Sequence, residues 1–267
     1  MDLSKIKMVV TDMDGTLLNS NHEVSIHFYE LFKALKKHNI LFVAASGRQY
    51  NSIVDKLKAI RNEIIVVSEN GAFVKKQDKE LLTTPLSQKQ VHNILSIVQQ
   101  NKGMHAALCS KHNAYVSGES EDFIAMLSQY YSNFEITDLS LDIPDEILKV
   151  AIYHFQDSEK YIYPALKHIE HDLKVKVSGP HWVDVSSINA HKGYAIEKLM
   201  KDYNIKSDEL MVFGDYNNDL EMLALAKYSF AMKNAHPNVK EVANYKTSSN
   251  DDLGVEKILE KLIDSKN

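Results

Sequence analysis

Residues 6–16 read Ile-Lys-Met-Val-Val-Thr-Asp-Met-Asp-Gly-Thr, and this stretch decides the fold. Its first part, Ile6 to Thr11, is a short run rich in β-branched apolar residues, which predicts a buried strand of a parallel sheet. The run stops at Asp12, so Asp12 and Asp14 stand at the carboxyl end of that strand. Ligands bind at this edge of open α/β sheets. The stretch therefore predicts an α/β fold with chemistry where its first strand ends.

Strands and helices alternate at both ends of the chain but not in its middle. Alternation of short apolar runs with helical periodicity is typical of βαβ units and a parallel sheet. In the middle, strand pairs follow each other with no helix between them, which indicates antiparallel pairing. We therefore predict a Rossmann-like α/β core made of residues 1–83 and 188–267, with an inserted α+β cap domain at 84–187. The predicted strands are 6–11, 40–45, 64–67, 104–109, 113–117, 147–154, 174–178, 182–186, 210–213 and 228–232, and the predicted helices are 25–38, 51–60, 87–101, 120–131, 158–171, 193–203, 218–225 and 254–264.

The composition is that of a globular protein without a broad basic surface. The chain has 267 residues, 44% of them hydrophobic and 25% charged, with a formal charge of −5, which gives no cationic face for nucleic acid or anionic lipid. The one cysteine, Cys109, excludes an intrachain disulfide and favours a reducing compartment. The N-terminus lacks a signal-peptide pattern, and the longest apolar run, 40–45, is far below the roughly 20 residues of a membrane helix. We expect a cytoplasmic monomer or weak homo-oligomer with no nucleic-acid or membrane partner.

The pair Asp12 and Asp14 suits phosphoryl chemistry. Two carboxylates this close can share one Mg²⁺, a hard cation that prefers oxygen ligands. A carboxylate can also act as a nucleophile while a neighbouring acid protonates the leaving oxygen, and Gly15 would allow a sharp turn away from the strand. The alternative is two surface aspartates in an ordinary turn. A calcium-binding EF-hand loop is excluded, because the glycine required at its sixth position is Leu17 here.

A second acidic cluster, Gly214-Asp215-Tyr216-Asn217-Asn218-Asp219, directly follows the predicted strand 210–213. Asp215 and Asp219 are four residues apart, so both can face one side of a first helical turn. The alternative is a helix N-terminus where acidic residues merely complement the dipole. Because both acidic clusters occupy strand ends of one predicted sheet, parallel neighbours would bring them together to hold a cation.

Two smaller motifs could bind phosphate. Ser46-Gly47-Arg48 follows the predicted strand 40–45, where a hydroxyl and a backbone N–H can hold a phosphate oxygen. Lys192 opens a predicted helix and could neutralise phosphate charge. Taken alone, the first is most often an ordinary turn and the second most often a solvated lysine.

Taken in order, the four motifs resemble those of the haloacid dehalogenase superfamily. The chain is most similar to the Cof-type phosphatase branch, in which a large α/β cap lies between the second and third motifs, and the segment 68–72 also resembles that branch. The resemblance implies a Mg²⁺-dependent phosphatase with an aspartyl-phosphate intermediate. It implies Asp12 as nucleophile and metal ligand, Asp14 as general acid/base and as metal ligand through its backbone carbonyl, Asp215 as metal ligand, Asp219 as support of the metal site, and Met13, Ser46, Gly47, Lys192 and Asn218 as phosphate-binding residues.

Some positions depart from the family pattern. Ser46 stands where threonine is common, His191 precedes Lys192 where serine is frequent, and Tyr216 is bulkier than usual and could narrow the site. None of these changes removes a catalytic group. Trp182, in a predicted cap strand, is interpreted as core, with contact to substrate as the alternative.

Two other functions compete with phosphatase activity. A phosphomutase would use the same residues but return the phosphoryl group to bound substrate, and a non-catalytic sugar-phosphate-binding regulator would have lost a catalytic carboxylate. This chain keeps both Asp12 and Asp14, so a phosphatase is favoured. The resemblance implies small phosphate-ester substrates such as sugar or polyol phosphates, flavin mononucleotide or pyridoxal phosphate, with selectivity set by the cap.

Overall fold

The computed structural model describes residues 2–111, 113–118, 120–127, 134–140 and 143–266. The chain divides into two compact units, which we call the core unit (Met1–Leu82 with His191–Asn267) and the inserted unit (Thr83–Ala190). In chain order the strands are β1 (Met8–Asp12), β2 (Leu41–Ala45), β3 (Ile65–Ser68), β4 (Phe73–Lys76), β5 (Lys79–Thr83), β6 (Met104–Cys109), β7 (Ala114–Val116), β8 (Glu135–Ile136), β9 (Lys149–His154), β10 (Leu173–Gly179), β11 (Trp182–Ser187), β12 (Leu210–Gly214), β13 (Tyr228–Ala231) and β14 (Tyr245–Lys246). The helices are α1 (Ile26–Lys37), α2 (Tyr50–Lys56), α3 (Gln88–Gln100), α4 (Glu121–Leu127), α5 (Ser158–Tyr161), α6 (Tyr163–Leu166), α7 (Lys192–Asp202), α8 (Leu220–Leu225), α9 (Pro237–Val242) and α10 (Gly254–Asp264).

The core unit is built on a sheet with β1 at its centre. Among the described residues, its strand order is β14-β13-β12-β1-β2-β3-β4-β5. β1 pairs in parallel with both β12 and β2, and the outer neighbours β13 and β3 continue the parallel pairing. Every residue of β1 and β12 is buried, as expected for strands that are covered on both faces. The parallel α/β core predicted from the sequence is confirmed, and the carboxyl ends of β1, β2 and β12 meet at one edge.

Helix α1 covers this sheet with an aromatic face. It begins at Ile26, and its N-cap is Ser25, whose hydroxyl accepts a hydrogen bond from the Phe28 N–H at 3.0 Å. The rings of Phe28 and Phe32 lie 5.1 and 5.8 Å from that of Phe42 on β2. Ile26 is 82% exposed, because the buried face of the helix starts at Phe28. Burial of each such side chain contributes about 1.5–3 kcal/mol.

His27 links α1 to α10 in a pH-dependent way. Its Nε2 lies 2.8 Å from a Glu260 oxygen and its Nδ1 3.4 Å from a Glu30 oxygen, and the contact with Glu260 raises the pKa of His27. Because the pKa of His27 is higher in the folded state, protonated His27 stabilises the fold in full at pH values below its unfolded-state pKa of about 6.5. This stabilisation is lost as the pH rises through the folded-state pKa. Because the groups are exposed, we expect less than about 1 kcal/mol. Thermal melts of His27→Gln should show a deficit at pH 5.5 that vanishes at pH 8.5, and an equal deficit at both would contradict the assignment.

The inserted unit contains a second, mainly antiparallel sheet. Among the described residues its order is β10-β11-β9-β6-β7-β8, and the two strand pairs predicted from the sequence are the antiparallel pairs β6/β7 and β10/β11. Apolar residues of α3 and α6 pack on the β6, β9 and β11 side chains of one face. Trp182 on β11 packs against Tyr153, with ring centroids 4.8 Å apart.

None of the described helices is long and apolar enough to cross a membrane.

Several predicted elements need correction. The helix predicted at 158–171 is divided into α5 and α6, because Pro164 lacks the N–H that would continue the hydrogen bonding of α5. The helix predicted at 51–60 ends at Lys56. Strands β4 and β5 were missed, since neither Phe73–Lys76 nor Lys79–Thr83 shows an alternation of apolar and polar residues. Of the helix predicted at 120–131, α4 ends at Leu127, and 128–131 lie outside the described residues.

Candidate active site

Three aspartates from two sequence motifs meet at the carboxyl edge of the core sheet. Asp12 ends β1, Asp215 directly follows β12, and Asp219 lies in the turn before α8. One carboxylate oxygen from each lies within 4.8 Å of the others, a spacing that could hold a metal ion. They converge because β1 and β12 are parallel neighbours, in register from Met8 and Leu210 to Thr11 and Phe213. We call Asp12, Asp215 and Asp219 the carboxylate cluster.

Lys192 places a buried ammonium group inside this cluster. Its Nζ donates to Asp12 Oδ1 at 2.6 Å and to Asp219 Oδ1 at 2.7 Å, and its side chain is fully buried. It is the first residue of α7, where the side chain of His191 caps the helix by accepting from the Tyr194 N–H. Burial alone would lower the pKa of Lys192, but the two carboxylates outweigh it and raise that pKa. The group is therefore a fixed cation rather than a solvated surface lysine.

Asp219 braces the loop that carries Asp215. Its Oδ2 accepts the backbone N–H of Asp215 at 2.9 Å and of Tyr216 at 3.1 Å, while Oδ1 accepts from Lys192. A Cβ atom on Gly214 would lie 2.7 Å from Asp219 Oδ2, so glycine is what allows this close approach. Both oxygens of Asp219 are thus already engaged within the protein, an arrangement compatible with a supporting role.

Gly15 turns the chain sharply beside Asp215. Its φ is +74°, and a Cβ atom there would overlap the Asp215 carboxylate, so both backbone conformation and space favour glycine. The next residue, Thr16, donates its hydroxyl to Asp215 Oδ1 at 3.1 Å, and Asn234 donates its amide to the Gly15 carbonyl at 2.8 Å. The loop after β1 is thereby held against the loop after β12.

The cluster carries more negative than positive charge. Its three carboxylates and the Lys192 ammonium leave a formal charge of −2. Burial, reinforced by the neighbouring acids, raises the pKa of Asp12 against the opposing effect of Lys192. Burial and then Asp219 raise the pKa of Asp215 to about 6. Closely spaced oxygen ligands with an unbalanced charge of two fit a hard divalent cation such as Mg²⁺.

Asp14 points to a different partner. Arg48 holds both of its oxygens in a fork, with Nε donating to Oδ2 and Nη2 to Oδ1, each at 2.6 Å. Burial would raise the pKa of Asp14, but the hydrogen bonds and charge of Arg48 outweigh it and lower that pKa. The Asp14 carboxylate is not one of the three in the carboxylate cluster. The metal contact through the Asp14 backbone carbonyl and the acid/base role of its carboxyl group stay predictions. The motif Ser46-Gly47-Arg48 contains this arginine, but the sequence predicts no role for its side chain.

The predicted phosphate-binding residues lie in loops of the same unit. Ser46 follows β2, and its hydroxyl accepts from the Arg48 N–H at 3.1 Å, beside Gly47. Asn218 precedes α8 and donates its side-chain amide to Asn70 at 3.0 Å. Met13 is buried and follows β1, where its carbonyl oxygen accepts from the Leu18 N–H at 2.8 Å. Asn70 is a residue that the sequence reasoning missed, although it lies in the segment 68–72.

Comparison with known proteins identifies the class. A family model described as haloacid dehalogenase-like hydrolase matches residues 9–259. The 5-amino-6-(5-phospho-D-ribitylamino)uracil phosphatase YbjI of Escherichia coli is 30% identical over 97% of this chain and 96% of the relative. A crystal structure of a Streptococcus mutans protein is similar with a TM-score of 0.84 and 32% identity, covering 97% and 99% of the two chains. A Thermotoga maritima structure has a TM-score of 0.85 and 25% identity, covering 96% and 97%.

The fold and the family match define the class of the protein, which is a hydrolase. The chain belongs to the haloacid dehalogenase-like hydrolase family. The predicted superfamily, its phosphatase branch and the predicted enzyme class, a phosphoric monoester hydrolase, are confirmed.

Proposed function

We propose that this chain is a Mg²⁺-dependent phosphatase that hydrolyses small phosphorylated metabolites through an aspartyl-phosphate on Asp12. The observation that supports it most is the set of buried Asp12, Lys192 and Asp219 with half-buried Asp215, which combines a positioned nucleophile with a site for a divalent cation. The name of the Escherichia coli relative suggests a phosphate ester with a polyol chain and a heterocycle, and sugar phosphates, flavin mononucleotide and pyridoxal phosphate are tested beside it.

In the first half-reaction a carboxylate oxygen of Asp12 attacks phosphorus and the bond to the leaving oxygen breaks. Lys192 orients Asp12 through Oδ1. The leaving oxygen keeps the electron pair of the broken P–O bond and takes a proton from Asp14. For this donation the Asp14 carboxyl has to release the fork of Arg48. Ser46, Gly47, Asn218 and the Met13 amide are the groups that we assign to the phosphoryl oxygens.

In the second half-reaction water attacks phosphorus, gives its proton to the Asp14 carboxylate, and releases phosphate from Asp12. Arg48 favours the ionised form of Asp14, which is the form that accepts this proton. Mg²⁺ would be held by the Asp12 and Asp215 carboxylates and the Asp14 carbonyl, and it supplies positive charge that offsets repulsion between the phosphate dianion and Asp12.

The remaining assignments rest on the same proposal. Residues 84–187 act as a cap that selects the leaving group, and the core of 1–83 and 188–267 carries the chemistry. The setting is the cytoplasm, with a small phosphate ester as the partner and no role for nucleic acid or membrane. In the part of the chain that the structure describes, no specific contact favours a phosphomutase or a non-catalytic regulator.

A substrate panel assayed with Mg²⁺ or EDTA tests the function. We expect inorganic phosphate release from at least one ester without a sugar-bisphosphate activator, and at least about a 100-fold loss in EDTA that added Mg²⁺ restores. Turnover that is unchanged in EDTA would contradict the metal dependence. Activity only with a bisphosphate activator would instead indicate the mutase.

Metal binding has a second readout that needs no substrate. A ligand that binds only the folded state stabilises it by about 2.7 kcal/mol at 100 times its dissociation constant. We therefore expect Mg²⁺ to raise the melting temperature of the wild-type protein and of Asp208→Asn, whose carboxylate pairs with exposed Lys5. In Asp215→Asn the shift should largely disappear. A full shift in that variant would place the cation elsewhere.

A further inference from the structure

Residues Glu69–Gly71 form a turn of three successive left-handed residues. Their φ angles are 49°, 55° and 103°, and only the last belongs to glycine. A left-handed residue other than glycine costs roughly 1–2 kcal/mol, so such a turn persists only where its surroundings hold it. We call this segment the 69–71 turn, and the contacts that hold it lead to the candidate active site.

The backbone of the turn is fastened to the loop after β2. The Glu69 N–H donates to the Arg48 carbonyl and the Asn70 N–H to the Ser46 carbonyl, both at 3.0 Å. On its other side, a Cβ atom on Gly71 would overlap the carbonyl of His191, the residue before Lys192. The turn therefore lies between the Ser46 loop and the start of α7.

The side chain of Asn70 reaches two of the predicted phosphate-binding residues. Its Oδ1 accepts from Asn218 Nδ2 at 3.0 Å, which fixes the direction in which the Asn218 amide points. A Cβ atom on Gly47 would lie 3.1 Å from Asn70 Oδ1 and 3.2 Å from Nδ2, so the Asn70 amide also packs against the Gly47 backbone. Asparagine tolerates the left-handed conformation best among residues with side chains, so one residue meets both the backbone and the side-chain requirement.

We propose that Asn70 is a positioning residue that sets the phosphate-binding geometry by orienting the Asn218 amide and backing Gly47. This inference rests on the proposed phosphatase function. Asn70 acts through Asn218 and Gly47 rather than on the reacting atoms. Its loss therefore weakens the hold on phosphate in the ground state and in the transition state alike, which raises KM more than it lowers kcat.

The test is a double-mutant cycle of Asn70→Gly, Asn218→Ala and the double variant, assayed with Mg²⁺ and a substrate from the panel. Glycine keeps the left-handed backbone and removes only the side chain. Asn39→Gly is the matched control, because Asn39 is also left-handed, with φ 56°, but is exposed. We expect Asn70→Gly to lower kcat/KM about 10-fold, mainly through KM, and Asn39→Gly to change it less than about 2-fold.

The cycle separates positioning from a general structural effect. Because Asn70 acts in part by orienting Asn218, the loss in the double variant should be smaller than the product of the two single losses by at least about 3-fold, and inhibition by inorganic phosphate should weaken in parallel in Asn70→Gly. Multiplied effects in the double variant, or wild-type KM in Asn70→Gly, would overturn the inference while leaving the phosphatase proposal standing. A wild-type protein with no turnover of any ester in the same assay would instead defeat the proposed function and this inference with it.

Discussion

We expect Asp12→Asn to lose ester hydrolysis by about 10⁴-fold or more while it keeps its fold. An amide oxygen is a far poorer nucleophile than a carboxylate, and removal of a nucleophile elsewhere costs about 10⁶ in kcat. The fold should survive because the asparagine oxygen still accepts from Lys192, which also keeps Asp219 as a partner. The substitution removes one negative charge from a cluster with an excess of them, so the melting temperature should not fall.

The matched control makes the same chemical change on the exposed part of α7. The Asp202 carboxylate accepts from Lys198 on that helix and is half-exposed, so Asp202→Asn should keep wild-type kcat and KM. Phosphate release, circular dichroism and thermal melts are measured on both variants. Asp12→Asn with more than about 1% of wild-type turnover would rule out Asp12 as the nucleophile.

The sequence predicts the backbone of the site well because strand ends are encoded locally. The apolar run before Asp12 and the one before Asp215 each end within one residue of the end of a strand, and parallel pairing of β1 with β12 brings the two ends together. This follows from composition and alternation alone, without any knowledge of side-chain positions. The predicted turn at Gly15 is explained in the same way, by its positive φ.

Side-chain partnerships between distant residues could not be predicted in this way. The fork of Arg48 on Asp14 joins loops after β1 and β2, and the bond from Asn218 to Asn70 joins loops after β12 and β3. Such pairs depend on rotamers and on loop geometry that no local periodicity encodes. The signal that the sequence does contain is position, because Arg48 is a polar residue that closely follows β2, a neighbour of β1 in the sheet.

The fold-level errors have a similar origin. β4 reads Phe-Val-Lys-Lys and β5 reads Lys-Glu-Leu-Leu-Thr, so each has two adjacent apolar residues instead of the apolar alternation that marks a half-buried strand. Tyr216 was expected to narrow the site because of its bulk. The structure places its ring, 55% exposed, against His236 with centroids 5.7 Å apart, so its effect on substrates stays a prediction.

We expect Lys192→Met to destabilise the core unit by about 3–5 kcal/mol and to remove activity. Methionine fills a similar volume but carries no charge, so the buried Asp12 and Asp219 carboxylates lose their shared cation. Removal of one partner of a buried ion pair lowers the free energy of unfolding by about 3–5 kcal/mol. Denaturant unfolding in EDTA measures the loss. Without Lys192, burial and the neighbouring acids raise the pKa of Asp12 unopposed, so the deficit should be full at pH 8 and shrink towards pH 5 as that carboxyl takes up a proton.

Lys198→Met is the matched control, since it lies on the same helix and pairs with Asp202 at 2.5 Å. Its side chain is 41% exposed and that of Asp202 is 36% exposed, so the pair is hydrated and its loss should cost less than about 1 kcal/mol at either pH. The two lysines share residue type, helix and partner type, so the contrast measures the effect of burial together with that of the second carboxylate partner of Lys192. Equal losses in both variants would mean that Lys192 is not the cation that balances the carboxylate cluster.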